Sequence, residues 1–301
     1  MKKDLLKMLD LTKEEILEIL NLADQMKYNL KNGIAHKILE GKTLGMIFQK
    51  ASTRTRVSFE TGMYQLGGQA LFLSHNDLQI GRGEPVEDTA RVLARYLDGI
   101  MIRTFEQKEV DDLAKWADIP VINGLTDFAH PCQILADLMT IREYHSALEG
   151  VKVAYIGDGN NVCNSLIVGA LKCGMKMSVA TPKGYEPHPE ILAFAKDFPG
   201  FSLLNDPSEA ANAADVLVTD VWASMGQEDE AKKRMKDFAG YQINAALMTQ
   251  ANANAIVLHC LPAHRDEEIS AEIFEKHANS IFDEAENRLH AQKAVMALLM
   301  Q

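Results

Sequence analysis

Two rhythms of apolar residues alternate along this chain, one at helical spacing and one in short continuous runs. Thr12-Lys13-Glu14-Glu15 is a capping box, and Ile16, Leu20 and Ala23 follow at helical spacing until Gly33 stops the helix. Thr43 to Phe48 reads as a short buried strand. It runs into Ser52, a good N-cap for a helix that extends to about Leu66 and ends at Gly67-Gly68. Further strands are expected at Ala70 to Leu73, Gly99 to Arg103 and Val121-Ile122, with Pro85 suited to the first position of a helix through Leu97. Strands separated by helices require parallel crossovers, and so a sheet covered on both faces.

The pattern then restarts. A helix from about Pro131 to Tyr144 is followed by Glu149-Gly150 and a continuous apolar strand, Val151 to Ile156. Met177 to Ala180, Phe201 to Leu204, Val216 to Thr219 and Ala255 to Leu258 fit further strands, each preceded by helical sequence. A last helix from about Asp283 carries Ala294, Val295, Leu298 and Leu299. The expected fold class is therefore α/β, with two parallel-sheet domains meeting near residues 140–150. A length of 301 residues suits two domains at roughly 150 residues each.

Composition narrows the functional classes. Forty-two acidic against 31 basic residues leave a net charge of −11, which disfavours a nucleic-acid-coating role. Any anion must be bound by local, well-placed donors. No stretch approaches about 18 apolar residues free of charge, so no membrane span is expected. Lysines and an aspartate interrupt Met1-Lys2-Lys3-Asp4-Leu5-Leu6-Lys7, unlike a secretory leader. Cys132, Cys163, Cys173 and Cys260 form no C-x-x-C pair, which fits reduced thiols in a cytoplasm and excludes structural zinc on spacing.

Five polar clusters follow predicted strands: Ser52 to Arg56, Arg103, Asn160-Asn161, Asp220 and His259-Cys260. Ligands of open α/β sheets sit beyond the carboxyl ends of the strands, so the clusters point to an active site in the cleft between the two domains. Ser52-Thr53-Arg54-Thr55-Arg56 opens a helix, where backbone N–H groups, hydroxyls and two guanidiniums converge as a phosphate requires. The alternative is an N-cap with solvated arginines, but two arginines in a first turn oppose the helix dipole unless an anion is present. Gly157-Asp158-Gly159-Asn160-Asn161-Val162 invites a dinucleotide reading. Val162 obstructs the close packing that glycine or alanine permits there, and no acid closes the next strand, so this reading is set aside.

His130-Pro131-Cys132-Gln133 puts an imidazole and an amide before a helix, as a structural pair or as ligand contacts. In His259-Cys260-Leu261-Pro262-Ala263-His264-Arg265 the thiol is open to three readings: an activated thiolate, an inert buried group, or a metal ligand. Metal is the weakest of these, because no local carboxylate or CxxC completes a set. Asp220, ahead of Ser224-Met225-Gly226, either caps a helix or holds a ligand's ammonium.

Together these motifs resemble the carbamoyltransferase family, in its ornithine branch, over essentially the whole chain and in the family's order. Ser52-Thr53-Arg54-Thr55 is similar to its carbamoyl-phosphate signature, His130-Pro131-Cys132-Gln133 to H-P-x-Q, and His259-Cys260-Leu261-Pro262 to H-C-L-P. Asp220 with Ser224-Met225-Gly226, and Asn287-Arg288-Leu289-His290, resemble its amino-acid loop and C-terminal arginine motif. The resemblance implies a carbamoyl-phosphate domain at 1–145, an ornithine domain at 146–283, and a final helix, about 284–301, returning to the first. It implies that Ser52, Thr53, Arg54, Thr55, Arg103, His130, Gln133 and Arg288 grip carbamoyl phosphate, with Cys260 and Leu261 nearby and Gln79 contributed by an adjacent subunit. Asn161, Asp220, Ser224 and Met225 would hold L-ornithine, and Arg103, His130, Cys260 and Asp220 would serve the transfer that yields citrulline. A homotrimer or a multiple of trimers is implied, with no metal, no organic cofactor, and neither nucleic acid nor membrane as partner.

Overall fold

The computed structural model describes residues 4–223 and 230–301. Its contacts divide into two compact units: residues up to Met139 together with Asn287–Gln301, and Thr140–Glu286. The first is built in the order α1 (Lys13–Lys31), β1 (Thr43–Phe48), α2 (Thr53–Gln65), β2 (Gln69–Ser74), α3 (Val86–Leu93), β3 (Gly99–Arg103), α4 (Gln107–Trp116) and β4 (Val121–Leu125). The chain leaves it within α5 (Pro131–His145). All four strands are parallel, in the spatial order β2-β1-β3-β4. The central strands β1 and β3 are buried almost throughout, as continuous apolar runs require. Strand β2, at the edge, leaves Leu71 and Phe72 exposed.

The second unit continues with β5 (Lys152–Ile156), α6 (Asn161–Lys172), β6 (Lys176–Ala180), α7 (Pro189–Ala195), β7 (Phe201–Leu204), α8 (Pro207–Ala211) and β8 (Val216–Thr219). Then follow α9 (Ala231–Asp237), α10 (Ala245–Met248), β9 (Ile256–His259) and α11 (Ala271–Lys276), and α12 (Ala278–Met300) returns the chain to the first unit. Five parallel strands lie in the order β7-β6-β5-β8-β9. Phe238 anchors the core on one side of this sheet, with the rings of Tyr185, Trp222 and Tyr241 at 4.7, 5.8 and 6.1 Å. Within the first unit, α12 rests on α2 at Gly62, where a Cβ would come 2.9 Å from Met296 Cε and 3.2 Å from Lys293 Cγ. Glycine is needed there for the helices to approach.

Two parallel-sheet α/β domains are thus present, but some elements differ from expectation. The last helix starts at Ala278 rather than near Asp283. Ser280 donates its hydroxyl to His277 O (3.0 Å) and Val257 O (2.7 Å) and so fits inside the helix. Helix α4 buries only Val110 and Leu113, too few apolar positions to announce a period. Pro85 is the N-cap of α3 rather than its first residue, and the helix ends at Leu93, short of Leu97. Between β2 and α3 lie two 3-10 turns, His75–Asp77 and Gln79–Arg82.

Candidate active site

In the first unit the polar residues gather where β1 gives way to α2. Ser52 is held extended (φ −162°) and accepts from Thr55 N at 3.2 Å, while its hydroxyl donates to Thr55 Oγ1 at 3.1 Å. No acid occupies the first turn of α2, so its exposed N–H groups keep their affinity for an anion. Arg288, on α12, donates to Thr55 Oγ1 (3.3 Å) and to Gln133 Oε1 (2.7 Å). Gln133 passes the order on, giving its amide N–H to Asp137 Oδ1 at 2.8 Å. Thr55, Gln133, Asp137 and Arg288 are all buried. Asp137 went unnoticed in the sequence; the only signal was its spacing of one helical turn after Gln133.

His130, buried at the start of α5, lies within the fields of three guanidiniums. Burial first, then the charges of Arg288, Arg103 and Arg54, hold its imidazole well below the usual histidine range. A ring in such surroundings is neutral. Cys132, the next residue but one, is an inert thiol: burial pushes it up to about 12, and it donates to Asn123 O. The expected convergence of two guanidiniums at Ser52–Arg56 is only half realised. Arg54 is half-buried and acts on His130, but Arg56 turns outward to Glu60 Oε1 (2.9 Å) and lies over the Phe72 ring at 3.8 Å. One turn of helix is too short to aim residues two apart at the same point. Thr53 is exposed beside Ser52, and Gln79 is exposed in its 3-10 turn.

The second unit forms its own cluster beyond the ends of β5, β8 and β9. Asp220 accepts from Asn160 Nδ2 at 2.7 Å on one oxygen, and from Val221 N (2.8 Å) and Cys260 Sγ (3.1 Å) on the other. Asn160 also caps α6, its Oδ1 accepting from Val162 N and Cys163 N, so its amide serves architecture. Asn161, next in line, is half-buried. Ser224 and Met225 lie outside the described residues.

Cys260 begins a loop with Leu261 in the left-handed region (φ 58°), a strained conformation for a branched side chain, followed by a cis Leu261-Pro262 bond. Buried polar groups hold the loop. His259 Nδ1 accepts from Leu261 N (2.9 Å), so the ring's proton sits on Nε2 and is donated to Glu268 at 2.9 Å. Glu268 also accepts from His264 N, and Glu284 accepts from His259 N. Asp220, His259 and Cys260 do bring three ligand-type atoms within 4.8 Å of one another, so a carboxylate joins them after all, from a strand that local spacing could not reveal. Both ring nitrogens of His259 are already engaged, however, which argues against coordination.

A buried ion pair sits beside this cluster. Arg234 Nη1 donates to Asp158 Oδ2 at 2.8 Å and to Trp222 O at 2.9 Å. Burial raises the Asp158 carboxyl to about 6, although Arg234 pulls the other way. Removing one partner of such a pair typically costs about 3–5 kcal/mol. Neither residue stood out in the sequence as a site residue, because the partners are 76 positions apart.

Residues 3–143 match the family model described as the aspartate/ornithine carbamoyltransferase carbamoyl-P binding domain, and residues 149–299 match its Asp/Orn binding domain. The ornithine carbamoyltransferase of Carboxydothermus hydrogenoformans is 57% identical over 99% of this chain and 97% of its own. That of Syntrophotalea carbinolica is 57% identical over the full length of both. Among solved structures, ornithine carbamoyltransferase from Pyrococcus furiosus aligns with a TM-score of 0.94 at 54% identity, over 99% of this chain and 96% of that one.

Proposed function

The chain belongs to the aspartate/ornithine carbamoyltransferase family, and from that premise we propose that it transfers the carbamoyl group of carbamoyl phosphate to the side-chain amine of L-ornithine, giving L-citrulline and phosphate. The observation that carries this reading is the array at the head of α2, where Thr55, Gln133 and Arg288 bond in series and three guanidiniums act on His130.

The phosphate of the donor binds at the start of α2, against Ser52, Thr53, Thr55 and Arg54, and Arg288 anchors the same end. Arg54 and Arg288 are local positive charge on a protein whose net charge is −11, which is what selective anion binding requires. The carbonyl oxygen of the carbamoyl group gains charge as the amine attacks. Arg103 and His130 donate to it, and Gln133 orients the carbamoyl amide. His130 acts here as a donor and not as the base, since an imidazole surrounded by guanidiniums resists taking another proton.

Ornithine binds to the second unit through Asp220, Asn161, Ser224 and Met225, with Cys260 next to Asp220. Its side-chain amine must attack uncharged. With lysine's pKa of ~10.4 as its measure, neutralising it at pH 7 costs roughly 4.6 kcal/mol, so groups that desolvate and orient the amine contribute directly to rate.

The enzyme works as a homotrimer or a multiple of trimers, in the cytoplasm, with Gln79 reaching a neighbouring chain's carbamoyl phosphate. The exposed apolar edge of β2 supports assembly, since such edges are normally covered. Four cysteines, none of them in a disulfide, fit a reducing compartment. Among the described residues no helix is long and apolar enough to cross a membrane.

Purified protein supplied with saturating carbamoyl phosphate and ornithine should form citrulline between about pH 7 and 9, where a growing share of amine is uncharged. No citrulline under those conditions overturns the assignment.

A further inference from the structure

A pocket of about 540 Å³ opens in the first unit between the end of α1, the loop after it and the end of α2. That volume suits a small organic ligand. Leu30, Ile34 and Tyr64 give it an apolar wall, and all three are exposed, Tyr64 by 80%. Its polar lining is His36, Lys37, Glu40 and Gln65.

Behind His36 and Gln65 lies Lys293, with none of its surface exposed. Its amine donates to His36 Nε2 at 3.0 Å and to Gln65 Oε1 at 2.9 Å. His36 Nδ1 donates to Ile34 O, which leaves Nε2 as the acceptor. Neither partner is a carboxylate. Among the described residues no carboxylate pairs with Lys293, and Glu40 at the rim does not reach it. Burial alone pulls the amine down to about 8. A buried ammonium without a counter-ion is costly, and native proteins usually supply an acidic partner. Here its two partners, His36 and Gln65, are themselves part of the wall of the open pocket.

We propose that this pocket is a second ligand site, for a small organic anion with an apolar or aromatic body and a carboxylate head. The head takes the place of Gln65 on Lys293. Gln65, half exposed as the last residue of α2, is able to turn outward. The body lies against Tyr64, Ile34 and Leu30, and Lys37 adds a second, solvated positive charge while Glu40 opposes ligands of excess negative charge.

Phenylacetate is a suitable probe, with phenethylamine as its cationic counterpart, in calorimetry on the full-length protein with inorganic phosphate saturating the site at α2. Wild-type protein should bind phenylacetate and not phenethylamine. Tyr64→Ala removes only an exposed ring, so it tests the wall without endangering the fold. Gln65→Glu keeps the shape and gives Lys293 a built-in carboxylate. Each substitution, and Lys293→Met where it folds, should weaken phenylacetate by about tenfold or more. Absence of binding to wild type at millimolar probe, or affinity undiminished in Gln65→Glu, would overturn the proposal.

Discussion

The Cys260 thiol donates to Asp220 Oδ1 across 3.1 Å, tying the end of β9 to the end of β8. Asp220 is therefore aimed by three donors: the Val221 backbone amide, the Asn160 side chain that also caps α6, and the thiol, whose removal leaves that cap in place. Cys260→Ala should raise the KM for ornithine by roughly tenfold, since a hydrogen bond to a charged group is worth about 1.5–3 kcal/mol. Carbamoyl-phosphate saturation should change much less. Initial rates with each substrate varied in turn make the comparison; normal ornithine kinetics would leave Cys260 a purely structural residue.

Arg103, buried at the carboxyl end of β3, is expected to act on charge that exists only as the reaction proceeds. Arg103→Ala should lower kcat by about 10²–10³, the usual effect of losing one such donor. If only KM rises, Arg103 binds ground state and transition state alike.

The neutral state of His130 has a consequence for stability. Its folded pKa is depressed by burial and by Arg288, Arg103 and Arg54. The unfolded chain recovers a value of ~6.5, so below that pH it binds a proton that the folded protein refuses, and stability falls. Asp158 works in the opposite sense: its carboxyl is raised to about 6, so its protonation favours the folded state as pH drops through that value. Urea unfolding at about pH 7.5 and 5.5 should show a larger loss for wild type than for His130→Asn. Equal losses would acquit the imidazole.

Gln79 sits exposed in a short turn, whereas Arg103 is buried in its own sheet. Gln79→Ala and Arg103→Ala chains, each weakly active, can be dissociated and reassembled together. In a cyclic trimer with random mixing, about one site in four receives Arg103 from its own chain and Gln79 from its neighbour. Activity near that fraction of wild type is expected. If verified hybrids gain nothing although Gln79→Ala is crippled, the glutamine serves its own chain.

Most strands were legible because a buried parallel strand writes itself as a continuous apolar run; Thr43–Phe48 and Val216–Thr219 agree to the residue. Capping chemistry was equally plain at Thr12, whose reciprocal bonds with Glu15 are 2.9 and 3.2 Å long. Boundaries failed where a residue suits two neighbouring positions, as Pro85 does: it caps α3 instead of opening it. The site was legible in its residue types, and much less in its wiring. Asp137, Glu268 and Glu284 are acids like many others until the fold sets them against Gln133 and His259. Arg54 and Arg56 look alike in sequence, yet Glu60 and Phe72 claim only the second.

Arg288 meets Thr55 across 233 positions of the chain. During synthesis the ribosome releases the first sheet early, and the entire second unit must then emerge before Arg288 is free to arrive. The first unit is therefore the first to begin folding and the last to be finished. A chain cut short anywhere before its final helix lacks the arginine that links Thr55 to Gln133, so an aborted translation product leaves the hydrogen-bonded series at the head of α2 unclosed.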